Sequence, residues 1–424
     1  MNTFKLKSGI PVILAPMKGT QVVTALILFK VGSRHENARN NGVSHFVEHL
    51  FFKGTEKRPT TLDISRELDG VGADFNAFTS KDWTGYYVKV ASRHTRLAVD
   101  ILEDILFHPL FDQNEIDRER GVIIEEINMY EDNPMVTAEE MVEELLYGKH
   151  HPLGYRIAGP KENIQRMSRQ EIIAYRDEHY HPGNMVVLLA GNLPKNIKQL
   201  VWKYFSEIPK RKQKTPIYKK FEFTQKAPRI LVHKKNTAQA HLALSFPGPT
   251  HLSKQLVVAN VLSTVLGGSM SSRLFIHVRE RQGLCYYIRS SVNPYEDMGA
   301  ITIQAGFDKT RIHQAILAII EQLKFMRSSF VSSEELQRAK EFLIGKMSLR
   351  FEDSENVASW LGSQALFHKK IKMVTDIEKE IQSVTAQQII QLAKKIFVSS
   401  NSNLAIIGPF QKQQQKSFEK HLQF

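Results

Sequence analysis

The chain has 424 residues, 42% hydrophobic and 24% charged, with 57 Lys and Arg against 44 Asp and Glu and a formal net charge of +13. This length exceeds one ordinary core and predicts two or three soluble domains, and a single cysteine, Cys285, excludes an intrachain disulfide and a cysteine-based metal cluster. The charge invites a nucleic-acid partner, but Lys and Arg are spread between acidic residues and no nucleic-acid module motif accompanies them, so no nucleic acid is expected; no apolar run approaches the ~18 residues of a membrane helix, so no membrane is expected either.

Residues 1–9 lack the apolar core of a signal peptide, which makes a cytoplasmic location the expectation. Residues 11–15 and 22–31 read as strands, the second almost wholly apolar and ended by Gly32. A helix follows over 42–53, stopped by Gly54, and a shorter one over 61–68 behind the capping residue Thr60. Past the turn Gly70-Val71-Gly72, residues 74–80 and 84–92 make a hairpin. Helices are predicted over 93–107, 112–131, 136–147 and 169–179, then an apolar strand over 185–190 and a helix over 194–207. Residues 210–227 are basic and contain Pro216, with Pro209 just before them, and read as a linker.

The second half repeats this order. Strands at 229–234 and 240–246 precede helices at 251–266 and 271–281. A hairpin covers 284–293 and 298–306, helices follow at 308–327, 332–350, 354–367 and 384–396, and residues 403–407 form a last strand before Gly408. Glu115-Ile116-Asp117-Arg118 aligns with Glu335-Leu336-Gln337-Arg338, and Tyr130-Glu131-Asp132-Asn133 with Phe351-Glu352-Asp353-Ser354, at an offset that stays near 217–221. Two tandem homologous domains are therefore expected, 1–209 and 228–424. Hairpin signals without regular strand–helix alternation predict an α+β class, each domain a mixed or antiparallel sheet with helices packed on it.

The helix over 42–53 carries His45-Phe46-Val47-Glu48-His49. Residues four apart share one helix face, so both imidazoles reach one metal ion, and Glu48 projects toward the same side. This is the H-x-x-E-H order, the reverse of the commoner zinc-peptidase H-E-x-x-H. A third protein ligand is needed. On the helix over 112–131, Glu119 and Glu126 lie seven apart on one face, with Glu125 pointing elsewhere and an apolar stripe at Val122, Ile123, Ile127 and Tyr130. At the same offset His45, Glu48 and His49 fall on Thr264, Gly267 and Gly268, and Glu119 and Glu126 on Ala339 and Lys346. The five polar residues vanish together from the second copy, as members of one site would.

With these motifs the whole chain resembles the pitrilysin/mitochondrial-processing-peptidase family of zinc metallopeptidases, in its small bacterial two-domain form. The resemblance implies a clamshell of the two domains and an endopeptidase acting on extended or presequence-like peptides. It implies His45, His49 and Glu126 as ligands of one Zn2+, Glu48 as catalytic base and Glu119 as a carboxylate supporting the metal site. Asn76, Ala77, Phe78 and Thr79 match the edge strand on which substrate backbone docks. Arg279 and Tyr286 match the Arg and Tyr, seven apart, that reach the substrate from the other domain; Tyr287 is adjacent, and spacing favours Tyr286. The implied partners are an unfolded peptide and a second chain, either a copy of this one or a homologue. A non-catalytic peptide-binding or scaffold subunit is the competing reading, and the intact His45, Glu48, His49 and Glu126 argue against it.

Overall fold

A strand that is apolar at every position needs a covering layer on both faces of its sheet. Residues 185–191 meet that description and residues 22–29 do so at all but Thr24, whose hydroxyl meets Ser354 Oγ at 2.7 Å; the structure covers both faces of each strand. The computed structural model describes residues 1–208 and 218–424. These residues form two compact units.

The first unit contains a six-stranded mixed sheet of β1 (Asn2–Lys5), β2 (Pro11–Pro16), β3 (Val22–Phe29), β4 (Asp74–Thr79), β5 (Thr84–Ala91) and β6 (Met185–Gly191), in the order β1-β2-β6-β3-β5-β4. Only β2 and β6 run parallel. Ala25, Ile27, Val187 and Leu189 face one core, shared with Val43, Phe46, Val47 and Leu50 of the helix Val43–Leu50. Leu26, Leu28, Val186 and Leu188 face a second core, shared with Ala358 and Leu361. The alternation of side chains along the strands sends successive residues to these two layers.

The second unit contains a five-stranded sheet of β7 (Arg229–Lys234), β8 (Gln239–Gly248), β9 (Cys285–Asn293), β10 (Gly299–Asp308) and β11 (Asn403–Gly408), in the order β7-β11-β8-β10-β9. Removing β1 from the first sheet leaves the same order, with the one parallel pair in the same place. The tandem repeat read from the sequence is thus a repeat of topology.

The predicted cut between 1–209 and 228–424 does not coincide with the units. The first unit takes Ser348–Ile371 from the second half, and the second unit takes Asn128–Tyr155 from the first. Each loan is one helix at the corresponding place in the repeat. Helix Ser354–Phe367 lies on the first sheet, and Gly362 lets it come close, because a Cβ there would stand 2.3 Å from Leu28 Cδ1. Helix Pro134–Tyr147 lies on the second sheet, where Ala138, Met141 and Val142 pack with Ala243, Ala405 and Ile407. The physical reason is the two-sided apolar character of the central strands: the helices of each half cover one face only.

Other departures are local. The helices expected over 251–266 and 271–281 shorten to Leu256–Ser263 and wide π-helical turns over Thr264–Gly268 and Phe275–Glu280. Gly267 there packs against β9, with Ser290 N 2.8 Å from where a Cβ would stand. The predicted linker falls partly on residues 209–217, outside the described residues; 218–227 carry no helix or strand. Near the C-terminus the largely exposed polar residues 411–416 are followed by Phe418 and Leu422, which are buried in the core of the second unit.

Candidate metal centre

The motif helix runs Val43–Leu50, shorter than the predicted 42–53, and hydrogen-bonded turns continue it to Lys53. Its N-cap is Gly42 at φ 101°, where a Cβ would stand 2.7 Å from Ala158 O. A glycine cap offers no side-chain acceptor. Buried Glu36 supplies one from the preceding loop, accepting from Gly42 N at 2.9 Å, Ser44 N at 2.8 Å and Asn41 Nδ2 at 2.8 Å. A carboxylate suits this end of a helix, where the backbone N–H groups are unpaired and the dipole is positive. Burial nevertheless holds the Glu36 carboxyl above the usual carboxylate range. At the other end Gly54 turns at φ 124°, with Pro59 O 2.3 Å from the place of a Cβ.

His45 and His49 project from one face, as their spacing predicts. Their Nε2 atoms are 3.3 Å apart, and Glu126 Oε2 lies 3.6 Å from the first and 3.4 Å from the second. A tetrahedral zinc with bonds of about 2.0–2.1 Å has ligand-to-ligand edges of about 3.3–3.4 Å. The triangle therefore fits three ligands of one such ion, and among the described residues no other His, Cys, Asp and Glu group of three does so. Glu126 reaches this place from the helix Gln113–Asp132, on which Ile116, Ile123 and Ile127 are buried. Val122, expected in that apolar stripe, is 51% exposed instead: one residue before Ile123, it is turned about 100° off the buried face. Glu125 is exposed, as its phase requires.

Glu119 is buried behind His49, with Oε1 2.8 Å from Nδ1 of the ring and Oε2 2.7 Å from Lys53 Nζ. These partners outweigh burial and hold the Glu119 carboxyl below its usual range. Burial depresses the His45 imidazole to about 4, helped by the neighbouring His49. On His49 burial acts in the same downward direction, but Glu119 and Glu126 together overcome it and raise the ring to about 9. In the metal-free protein the triangle thus holds one proton on His49 at neutral pH. A metal on both Nε2 atoms must displace it. Apparent zinc affinity is expected to rise roughly tenfold per pH unit from about pH 7 and to flatten near pH 9; chelator-competition titrations across that window measure it, and a flat profile would show that His49 carries no such proton.

Glu48 lies near enough to the triangle to feel the charges of His49 and Glu126. Thr79 Oγ1 donates to its Oε2. Burial raises the Glu48 carboxyl, with Thr79 and His49 opposing. β4, which carries the predicted Asn76, Ala77, Phe78 and Thr79, is an edge strand of its sheet. Ala77 packs toward the core of the motif helix, whereas Phe78 lies over Gly85 in the opposite core and against Trp83 at 5.2 Å. Asn76 Oδ1 accepts from Ala77 N at 2.8 Å.

In the second unit, the Arg279 guanidinium stands over the rings of Phe275 at 4.5 Å and Tyr286 at 5.8 Å. Tyr286 is 75% exposed, while the Tyr287 hydroxyl meets His241 Nδ1 at 3.1 Å. Thr264 and Gly268 sit in the π-helical turns and Ala339 and Lys346 on the helix Ser333–Arg350, so the second copy keeps the scaffold without the ligands. Sequence reasoning missed Lys53 and Glu36. Lys53 had a signal, four residues after His49. Glu36 had none, because it acts from an irregular loop.

Comparison with known proteins gives the family. A family model described as Insulinase (Peptidase family M16) matches residues 12–161, and one described as Peptidase M16 inactive domain matches residues 166–343. The chain is 35% identical to the uncharacterized zinc protease YmxG of Bacillus subtilis (strain 168), over 96% of this chain and 98% of that one. It is 31% identical to the uncharacterized zinc protease SCO5738 of Streptomyces coelicolor, over 96% and 90%. The crystal structure of a protease from Helicobacter pylori shares the fold, with a TM-score of 0.90 at 22% identity over 96% of this chain and 99% of that one. By these matches, which span both copies, the chain belongs to peptidase family M16, the insulinase family.

Proposed function

We propose that this protein is a zinc-dependent endopeptidase that hydrolyses peptide bonds in extended, unfolded peptides, with one zinc per chain on His45, His49 and Glu126. The observation that carries the reading is the ligand triangle with the Glu48 carboxylate beside it. Zinc held there supplies a Lewis acid that makes water nucleophilic at neutral pH and stabilises developing negative charge. Glu48 acts as the base: it takes the proton of the attacking water and returns it to the leaving nitrogen. Thr79 orients that carboxylate through its hydroxyl.

Substrate pairs with the open edge of β4, so its backbone is recognised whatever its sequence. A folded protein offers no free strand of this kind. Arg279 is assigned to a substrate carbonyl, and Tyr286 to donation of a hydrogen bond to the oxyanion. The working form is a dimer, with a second copy or a homologous chain, and its location is cytoplasmic.

The test is a library of unstructured peptides incubated with purified protein and read by mass spectrometry, with zinc counted on the same sample. About one zinc per chain and cleavages that disappear with a chelator and return with zinc are expected. Protein that binds no zinc, or that binds it and cleaves nothing, would leave a non-catalytic peptide-binding subunit.

A further inference from the structure

We propose that Lys53 is a positioning residue of the metal centre: it anchors Glu119 so that Glu119 can fix the His49 ring and stay out of the ligand set. This rests on the zinc reading above. Lys53 follows His49 by four residues, one turn further along the chain, and both meet the same carboxylate. Glu119 Oε1 is 2.8 Å from His49 Nδ1, and Oε2 is 2.7 Å from Lys53 Nζ. The Glu119 side chain is 5% exposed, so water offers little to satisfy either oxygen.

The closed arrangement has two consequences. A proton held on Nδ1 toward Glu119 leaves the Nε2 lone pair of His49 for the metal, and it fixes the plane of the ring. Nδ1 of His45 is buried with no hydrogen-bond partner among the described residues. Of the two imidazoles, therefore, His49 is the one oriented from behind, and Lys53 holds the group that orients it. The second consequence concerns Glu119 itself. It stands two helical turns from Glu126 on one face, and carboxylates are ordinary zinc ligands. Binding its second oxygen to a cation keeps it turned toward Lys53 and His49. Without that cation the carboxylate is free to turn, and the hold on His49 loosens.

Lys53→Met, which keeps most of the stem and removes the charge, is expected to weaken zinc binding at least about tenfold, the usual effect of losing a partner behind a metal ligand. Its cobalt form should show an altered visible spectrum. Lys53→Arg should recover most of the affinity. Glu119→Gln should weaken binding as well, and the double variant should be little weaker than Glu119→Gln alone, because Lys53 acts through Glu119. Affinity is read by competition with a chromophoric chelator, and thermal melting of each metal-free variant reports folding. Wild-type zinc affinity and cobalt spectrum in Lys53→Met would overturn the proposal. So would additive losses in the double variant, or Lys53→Arg as weak as Lys53→Met. Zinc binding by the wild type without peptide cleavage would instead sink the peptidase reading and leave the role of Lys53 standing.

Discussion

Glu48→Gln is expected to abolish measurable peptide hydrolysis while zinc stays bound. Glutamine has the size of glutamate and can still accept the Thr79 hydrogen bond, so the surroundings of the residue are preserved. It cannot take a proton from water. Loss of a positioned base lowers the rate by roughly 10²–10⁴-fold. His45, His49 and Glu126 are untouched, so metal content should equal that of the wild type. The acid limb of the wild-type kcat/KM profile belongs to the same experiment. Burial, the largest influence on Glu48, raises its carboxyl, and activity requires the ionised form. Activity should therefore fall as pH drops and Glu48 is protonated, while a zinc dication bound beside the carboxyl acts against the rise that burial causes. A Glu48→Gln protein that keeps zinc and most of its activity would move the base to another residue.

Residues 1–209 produced alone should not fold into a stable monomer, although they carry His45, His49 and Glu126 of the candidate metal centre. The first sheet needs helix Ser354–Phe367 on its second face. Without it Ile13, Leu26, Leu28, Val186 and Leu188 lose their cover. Each such side chain contributes about 1.5–3 kcal/mol when fully buried. Five of them match the roughly 5–15 kcal/mol by which a domain is stable at all. The fragment also leaves helix Pro134–Tyr147 without the sheet that buries Ala138, Met141 and Val142. Circular dichroism melting and sedimentation should show a non-cooperative or aggregated fragment. A monomer that melts cooperatively and binds zinc would show that the exchanged helix is dispensable.

The exchange limits what a linear reading of domains can achieve. A contiguous cut is natural when two copies follow each other, and it places each strand in its proper sheet. It keeps Asn128–Tyr155 and Ser348–Ile371 with the half they follow in the chain, whereas each packs in the other unit, because an apolar stripe on a helix says that something is covered and not which sheet. A hint was present in β3 and β6: strands apolar at nearly every position need two layers. The π-helical turns at Thr264–Gly268 and Phe275–Glu280 were illegible for a similar reason. The first of them carries the close approach of Gly267 to β9, a contact that no local pattern announces.

What the amino-acid order contained in full was the local and the periodic: His45 and His49 one turn apart, Glu119 and Glu126 two turns apart, and the offset that pairs the copies. Spacing along a helix converts directly into direction in space, so these residues could be matched to one site before any fold was known. Folding added the residues that hold the site in place. Glu36 caps the motif helix from a loop, Thr79 meets Glu48 from an edge strand, and Lys53 meets Glu119 across two helices. Side-chain hydrogen bonds between separate elements have no period in the sequence, so these partners emerge only once the elements are packed.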